Sequence, residues 1–330
     1  MLLRRNGPIG SSPLRAEEIP DPVPGPREIR VKVSACAVCR TDLHVIEGDL
    51  PLLRSPLVPG HQAVGVVDRK GTGATRFAEG TRVGIAWLAG TCGECPYCRS
   101  GRENLCDSPS FTGYHRNGGF AEYAVVPEAF AYPIPAPFSD AEAAPLLCAG
   151  IIGYRALRRA DLPPGGRLAL YGFGSSAHIV IQIARARGCE VFVCSRGASH
   201  RELALRMGAS WAGEDPSGMP AETDSAILFA PAGELVPPAL ARLKRGGTLA
   251  LAGIHMTDIP SMRYGECLFH EKNLRSVTAN TREDGEELLR EAARIPIRPN
   301  VTLFPLAEAN RALQALSADR LQGTGVLTVG

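Results

Sequence analysis

The chain has 330 residues, 45 % of them apolar, with 36 Lys and Arg against 34 Asp and Glu for a net charge of +2. That length exceeds the roughly 250–300 residues at which a single core stops growing, so two domains are expected. The charge balance gives no electrostatic reason for a nucleic acid or an anionic membrane as partner and favours a small uncharged ligand.

No apolar run approaches a membrane span, and "MLLRRNGPIG" at the start has basic residues without the apolar segment or cleavage site of a secretory leader. The cytoplasm is therefore expected. In that reducing compartment the ten cysteines are better explained by metal ligation or burial than by disulfides.

In chain order, the proline-rich "IPDPVPGPRE" (19–28) precedes a half-buried strand at 29–33, with strand-like runs at 63–67 and 81–85. This first part reads as irregular β structure carrying loops. From about 150 the pattern alternates: strand "RLALY" (167–171), helix "SAHIVIQIARARG" (176–188), strand "EVFVC" (190–194) and helical "HRELALRMGA". There follow strand "SAILFA", a helix ending in "LKRGG" and strand "TLALAG". Alternating strand and helix predict a parallel sheet with crossover helices. The tail reads as helix "EDGEELLREAAR", strand "NVTLF" and helix "LAEANRALQAL".

Cys92, Cys95, Cys98 and Cys106 in "TCGECPYCRSGRENLC" are spaced C-x2-C-x2-C-x7-C. Thiols this close pair poorly among themselves but can turn inward on one tetrahedral ion. Ferredoxin-type clusters also begin C-x2-C-x2-C, yet continue with three residues and Cys-Pro, whereas here seven residues intervene and Asp107 follows; zinc is the expected ion. Four thiolates leave no open position, so the site is expected to be structural.

Further ligand-grade groups stand in "CAVCRTDLH" (36–44), "VPGHQAVG" (58–65) and "PLLCAGIIGY" (145–154). Taken singly, Cys36 and Cys148 read as buried small hydrophobes and His44 and His61 as ordinary histidines. Together with "WLAGTCGECPYC" and the βαβ units, in this order and spacing, these segments resemble the zinc-dependent alcohol dehydrogenases of the medium-chain dehydrogenase/reductase superfamily, over essentially the whole chain.

The resemblance implies an α/β chain with a GroES-like β domain at 1–149 and 283–330, a Rossmann doubly wound parallel-sheet domain at 150–282, and the active site in the cleft. It implies that Cys39, His61 and Cys148 bind a catalytic zinc with the fourth position open, making two zincs per chain, while Cys36 is a packed thiol. Two thiolates and a neutral imidazole leave that zinc site formally neutral.

By the same resemblance, Thr41 hydrogen-bonds the alcohol and passes its proton through the nicotinamide ribose toward His44; the plain alternative is that Thr41 caps a helix beginning near 41. Asp42 reads as the carboxylate accepting the other ring N–H of His61, and otherwise as an acidic residue of a first helical turn. Trp87 resembles a pocket wall selecting small alcohols, with plain core as the alternative. Gln62 departs from the family, which usually has Glu there. The missing charge is expected to favour the deprotonated zinc ligand relative to a Gln62→Glu variant, and it leans toward weaker turnover.

"GFGSSA" (172–177) is G-x-G-x-x-A directly after a strand and opening a helix: Gly172 makes the turn, Gly174 admits the pyrophosphate and Ala177 permits close helix–strand packing. After the second strand stand Ser195 and Arg196, with no Asp or Glu to hold ribose hydroxyls, which favours NADP over NAD. Ala230 in "FAPAG" and Gly253 and Ile254 in "LAGIH" match the family's nicotinamide contacts. The family's arginine after a glycine near the C-terminus is missing from "LQGTGVL", so Arg40 is assigned a phosphate contact instead.

The expected activity is hydride transfer between a nicotinamide cofactor and a primary or secondary alcohol/aldehyde pair, by a homo-oligomer (dimer or tetramer). The alternative from another class is a non-catalytic NADP(H)-binding sensor or scaffold. A zinc-free quinone reductase would not need Cys39, His61 and Cys148.

Overall fold

The structure is a computed structural model and describes every residue except Pro296. The chain divides into two compact units: residues 1–149, 279–293 and 299–330 form the first, and residues 150–278 and 294–298 the second.

In the first unit, strand β1 (Glu28–Ala37) leads into helix α1 (Arg40–Glu47), followed by strands β2 (Ala63–Lys70), β3 (Arg82–Ile85), β4 (Tyr123–Pro127) and β5 (Ala131–Pro133). Valine and isoleucine on β1 face the core, so Ile29, Val31 and Val33 are buried while Lys32 points to solvent. Between β3 and β4, residues 88–111 form a separate lobe with a short helix at Pro96–Arg99 and a two-stranded sheet pairing Leu88–Gly90 with Ser110–Phe111.

The second unit opens with helix α2 (Ala149–Ala160), whose first residue belongs to the first unit. It continues with β6 (Arg167–Tyr171), α3 (Ser175–Ala186), β7 (Glu190–Cys194), α4 (Ala198–Arg206), β8 (Trp211–Gly213), β9 (Thr223–Leu228), β10 (Leu243–Leu251) and β11 (Asn273–Ser276). All neighbouring strands are parallel, in the order β8-β7-β6-β9-β10-β11. That is the Rossmann order 3-2-1-4-5-6, whose reversal between β6 and β9 opens a ligand crevice at the carboxyl ends of those strands. β6 reads as an unbroken apolar run because Leu168 to Tyr171 are fully buried. "LKRGG", expected to close a helix, instead starts β10: the helix before it ends at Ala241, and Lys244 is held at the strand start by Asp224 at 2.8 Å.

The chain then returns to the first unit through α5 (Arg282–Arg294), β12 (Val301–Pro305), α6 (Ala309–Ser317) and β13 (Thr324–Thr328). The resulting seven-stranded sheet runs β12-β13-β1-β2-β3-β5, with β4 also pairing β1. Among the described residues no helix is long and apolar enough to cross a membrane.

Candidate active site and metal centres

Two strand ends and a helix start bring Cys39, His61 and Cys148 together: Cys39 follows β1, His61 precedes β2 and Cys148 precedes α2, and their ligand atoms all lie within 4.8 Å of one another. Cys39 is the N-cap of α1, so Thr41 lies in the helix's first turn and is not its cap. His61 follows Gly60, whose φ of +94° is a left-handed conformation, and a Cβ there would meet Phe120 at 2.3 Å. The glycine of "PGH" is thereby required for the chain to bring the imidazole inward. The Cys39 and Cys148 Sγ atoms are 4.0 Å apart, and Thr41 Oγ1 lies 3.7 Å from Cys39 Sγ.

Asp42 orients two of these three groups. Its Oδ2 accepts the Cys39 backbone N–H at 2.8 Å, and its Oδ1 lies 2.9 Å from His61 Nδ1. The ring N–H therefore belongs on Nδ1, which directs Nε2 at the two thiols. His61 Nε2 is buried without a hydrogen-bond partner, an orphan that a metal bond would satisfy.

The electrostatics agree. The hydrogen bond with Cys148 is the largest influence holding the Cys39 thiol well below the ordinary range, and Cys148 is correspondingly raised. Burial works against charge on His61, but the Asp42 carboxylate outweighs it and raises the imidazole to about 10. Burial raises Asp42 itself. Such a donor set competes for a cation, whether proton or metal. Cys36 is fully buried, and burial pushes its thiol up, as for a packed side chain.

Trp87 stands edge-on to the His61 ring at 4.9 Å and stacks on Phe111 at 4.7 Å, so it forms an aromatic wall beside the imidazole. His44, one turn beyond Thr41, has its Nδ1 2.7 Å from the Asp49 carboxylate, a partner that sequence reading missed. Arg40 is exposed in the first turn of α1.

In the lobe, the Sγ atoms of Cys92, Cys95, Cys98 and Cys106 are likewise within 4.8 Å of one another. Cys92 lies 3.5 Å from Cys106 and 3.9 Å from Cys98. A tetrahedral ion with Zn–S bonds of about 2.3 Å holds its sulfurs about 3.8 Å apart, so the set fits zinc. Backbone N–H groups of Cys92, Cys95 and Cys98 point at neighbouring sulfurs at 3.3–3.5 Å, as thiolates accept them, and the Cys98 N–H is the largest influence lowering Cys95 to about 6.

In the second unit, Gly172 ends β6 with a φ of +88°, close against the Ala230 backbone N. Gly174 begins α3, and a Cβ built on it would meet nothing within 4 Å; this open ground at a helix N-terminus fits a pyrophosphate. Ala177 is fully buried against the sheet. Ser195 is buried and Arg196 exposed at the end of β7. Arg201, which sequence reading did not single out, donates to the Ser195 and Arg196 carbonyls at 2.7 and 2.6 Å and fixes that turn. Its signal was only an arginine one helical turn into α4. Gly253 and Ile254 follow β10, Ile254 exposed.

Among known proteins, residues 25–136 match the alcohol dehydrogenase GroES-like domain family and residues 176–294 the zinc-binding dehydrogenase family. The chain is 53 % identical over 332 residues to a probable alcohol dehydrogenase, AdhA, of Mycobacterium tuberculosis, covering 99 % of this chain and 96 % of that one. It is 35 % identical to an alcohol dehydrogenase of Geobacillus stearothermophilus, covering 96 % of each. A cinnamyl alcohol dehydrogenase structure from Sorghum bicolor superposes with a TM-score of 0.90 at 28 % identity, covering 99 % of this chain and 96 % of that one.

A GroES-like unit and a Rossmann unit in one chain, with thiol and imidazole groups clustered so that they could hold a metal, define a dinucleotide-dependent oxidoreductase. The chain belongs to the zinc-dependent alcohol dehydrogenases of the medium-chain superfamily, and its activity is NAD(P)-dependent interconversion of alcohols and aldehydes. These relatives lend no support to a non-catalytic sensor.

Proposed function

We propose that Cys39, His61 and Cys148 hold the zinc at which the alcohol reacts, that Cys92, Cys95, Cys98 and Cys106 hold a second, closed zinc, and that NADPH is the preferred reductant. The observation that carries the first assignment is the buried, unpartnered His61 Nε2 beside two thiols. Zinc in such a site supplies a Lewis acid for the substrate oxygen, and the nicotinamide supplies or accepts the hydride.

The chain's own residues do the rest. Asp42 keeps the His61 proton on Nδ1 and anchors the Cys39 backbone, so two ligands share one orienting carboxylate. The buried Thr41 hydroxyl, beside Cys39 Sγ, orients the substrate hydroxyl and relays its proton, accepting it while giving up its own toward His44. His44, three residues on along the same helix face and partly open to solvent, is the outlet, its Nδ1 held by Asp49. Trp87 excludes water on the His61 side and limits substrate bulk.

For the cofactor, Gly172, Gly174 and Ala177 seat the pyrophosphate at the start of α3, with Ala230, Gly253 and Ile254 toward the nicotinamide and Arg40 toward phosphate. Ser195 and Arg196 bring a hydroxyl and a guanidinium to the end of β7, which suits a 2′-phosphate. Aldehyde reduction is the corresponding cellular direction. Ten cysteines without a disulfide fit the cytoplasm.

The test is steady-state kinetics with NADPH and NADH over short, long and aromatic aldehydes. NADPH is expected to lead in kcat/KM by at least about tenfold, the scale of one charge-assisted contact. A tenfold lead for NADH contradicts the assignment of Ser195 and Arg196.

A further inference from the structure

Gln62 stands where the resemblance leads one to expect Glu, and its side chain is not idle. It is 1 % exposed. Its Nε2 donates to the Ala37 carbonyl and its Oε1 accepts from the Ala149 N–H, both at 3.4 Å. Its backbone carbonyl also accepts from the Ala37 N–H at 3.0 Å. Ala37 lies two residues before Cys39, Ala149 immediately follows Cys148, and Gln62 itself follows His61. One amide therefore spans the three segments that bear the three candidate ligands.

The chemistry of the span requires an amide. At one end it meets an acceptor and at the other a donor, so only one orientation of O and N satisfies both, and a carboxylate would meet the Ala37 carbonyl with no proton to share. A neutral group also adds no fourth negative side chain to the two thiolates and the buried Asp42 carboxylate. We propose that Gln62 is a positioning residue whose amide, bridging Ala37 and Ala149, holds the Cys39 and Cys148 segments at metal-binding separation about His61. The neutral residue replaces a charge with a clamp, and its presence does not signal weakened turnover. This inference rests on the assignment of Cys39, His61 and Cys148 as zinc ligands.

The experiment follows zinc release from full-length protein to a chromophoric chelator, with cobalt(II)-substituted spectra recorded in parallel. The two metal phases are assigned with Cys39→Ser and Cys95→Ser. Gln62→Met keeps the length but removes both hydrogen bonds; Gln62→Asn keeps the amide but is one methylene short of spanning. Gln62→Met is expected to release the Cys39-site zinc roughly 10- to 100-fold faster and to shift its cobalt bands, leaving the four-cysteine phase unchanged. Gln62→Asn should fall between it and the parent, and decides the matter if the Met variant does not fold. Unchanged release from a folded variant, or equal acceleration of both phases, overturns the proposal. Parent protein holding zinc only in the four-cysteine lobe overturns instead the ligand assignment beneath it.

Discussion

A carboxylate buried as deeply as Asp42 is costly unless its lone pairs are filled, and Asp42 fills them with the Cys39 N–H and the His61 ring. Asp42→Asn should therefore weaken zinc binding at the Cys39 site by roughly 10- to 100-fold, read by chelator competition, while the lobe's zinc is retained. The two cysteine sets should also part company. Cys39→Ser is expected to lower kcat/KM by at least about a hundredfold, a loss of some 2.7 kcal/mol of transition-state stabilisation, with the circular dichroism spectrum and melting temperature preserved. Cys95→Ser should lower the melting temperature and zinc content of the lobe. At this scale spacing alone was informative for the four cysteines of the lobe, whereas Cys39, His61 and Cys148, far apart in the chain, were joined only by the family resemblance. Gln62 stood out only as a missing charge and Asp49 not at all, because an amide's bridging role or a surface carboxylate has no signature until its partner is known. Ala149, which Gln62 meets, lies far along the chain from it.

Among elements, one ion pair ties the lobe to α5. Glu103, in the lobe, takes the Arg282 guanidinium bidentately and also its backbone N–H at 2.7 Å, and Arg282 in turn packs over the Phe130 ring. Burial works to raise Glu103, but Arg282 outweighs it and the carboxyl lies below its ordinary value. A depressed carboxylate stabilises above its unfolded pKa and loses that contribution as the pH falls through the folded one. Glu103→Gln should thus cost roughly 1.5–3 kcal/mol at pH 7, the scale of hydrogen bonds to a charged group, and the difference from the parent should close below about pH 4. Thermal melts across that range check both. Local pattern identified β6 and β7 to the residue because their runs are apolar and bounded by turn residues. It misread "LKRGG", where two glycines after basic residues imitate a helix end but the segment pairs in β10 through an irregular register near Thr223. No local pattern announces the Glu103–Arg282 pair, which joins positions 179 residues apart.

For the molecule as a whole, the sheet of the first unit takes strands from near both ends of the sequence: Leu327 of β13 pairs with Cys36 of β1, two residues before the turn into Cys39. Strand pairing across so many residues is set by the core that both strands cover, and short segments such as "TGVLT" do not declare it. The parallel order of the second unit, by contrast, follows from alternating strands and helices, and so was legible in outline. The central claim is an alcohol dehydrogenase whose turnover depends on the zinc proposed for Cys39, His61 and Cys148 of the first unit and not on that of the lobe. The most direct measurement removes metal from the purified protein stepwise with a chelator, recording zinc content and aldehyde reduction together. Activity should fall in proportion to the first zinc lost and return when zinc is restored, with the four-cysteine zinc still bound throughout. Full turnover in protein that holds zinc only in the lobe would contradict the account.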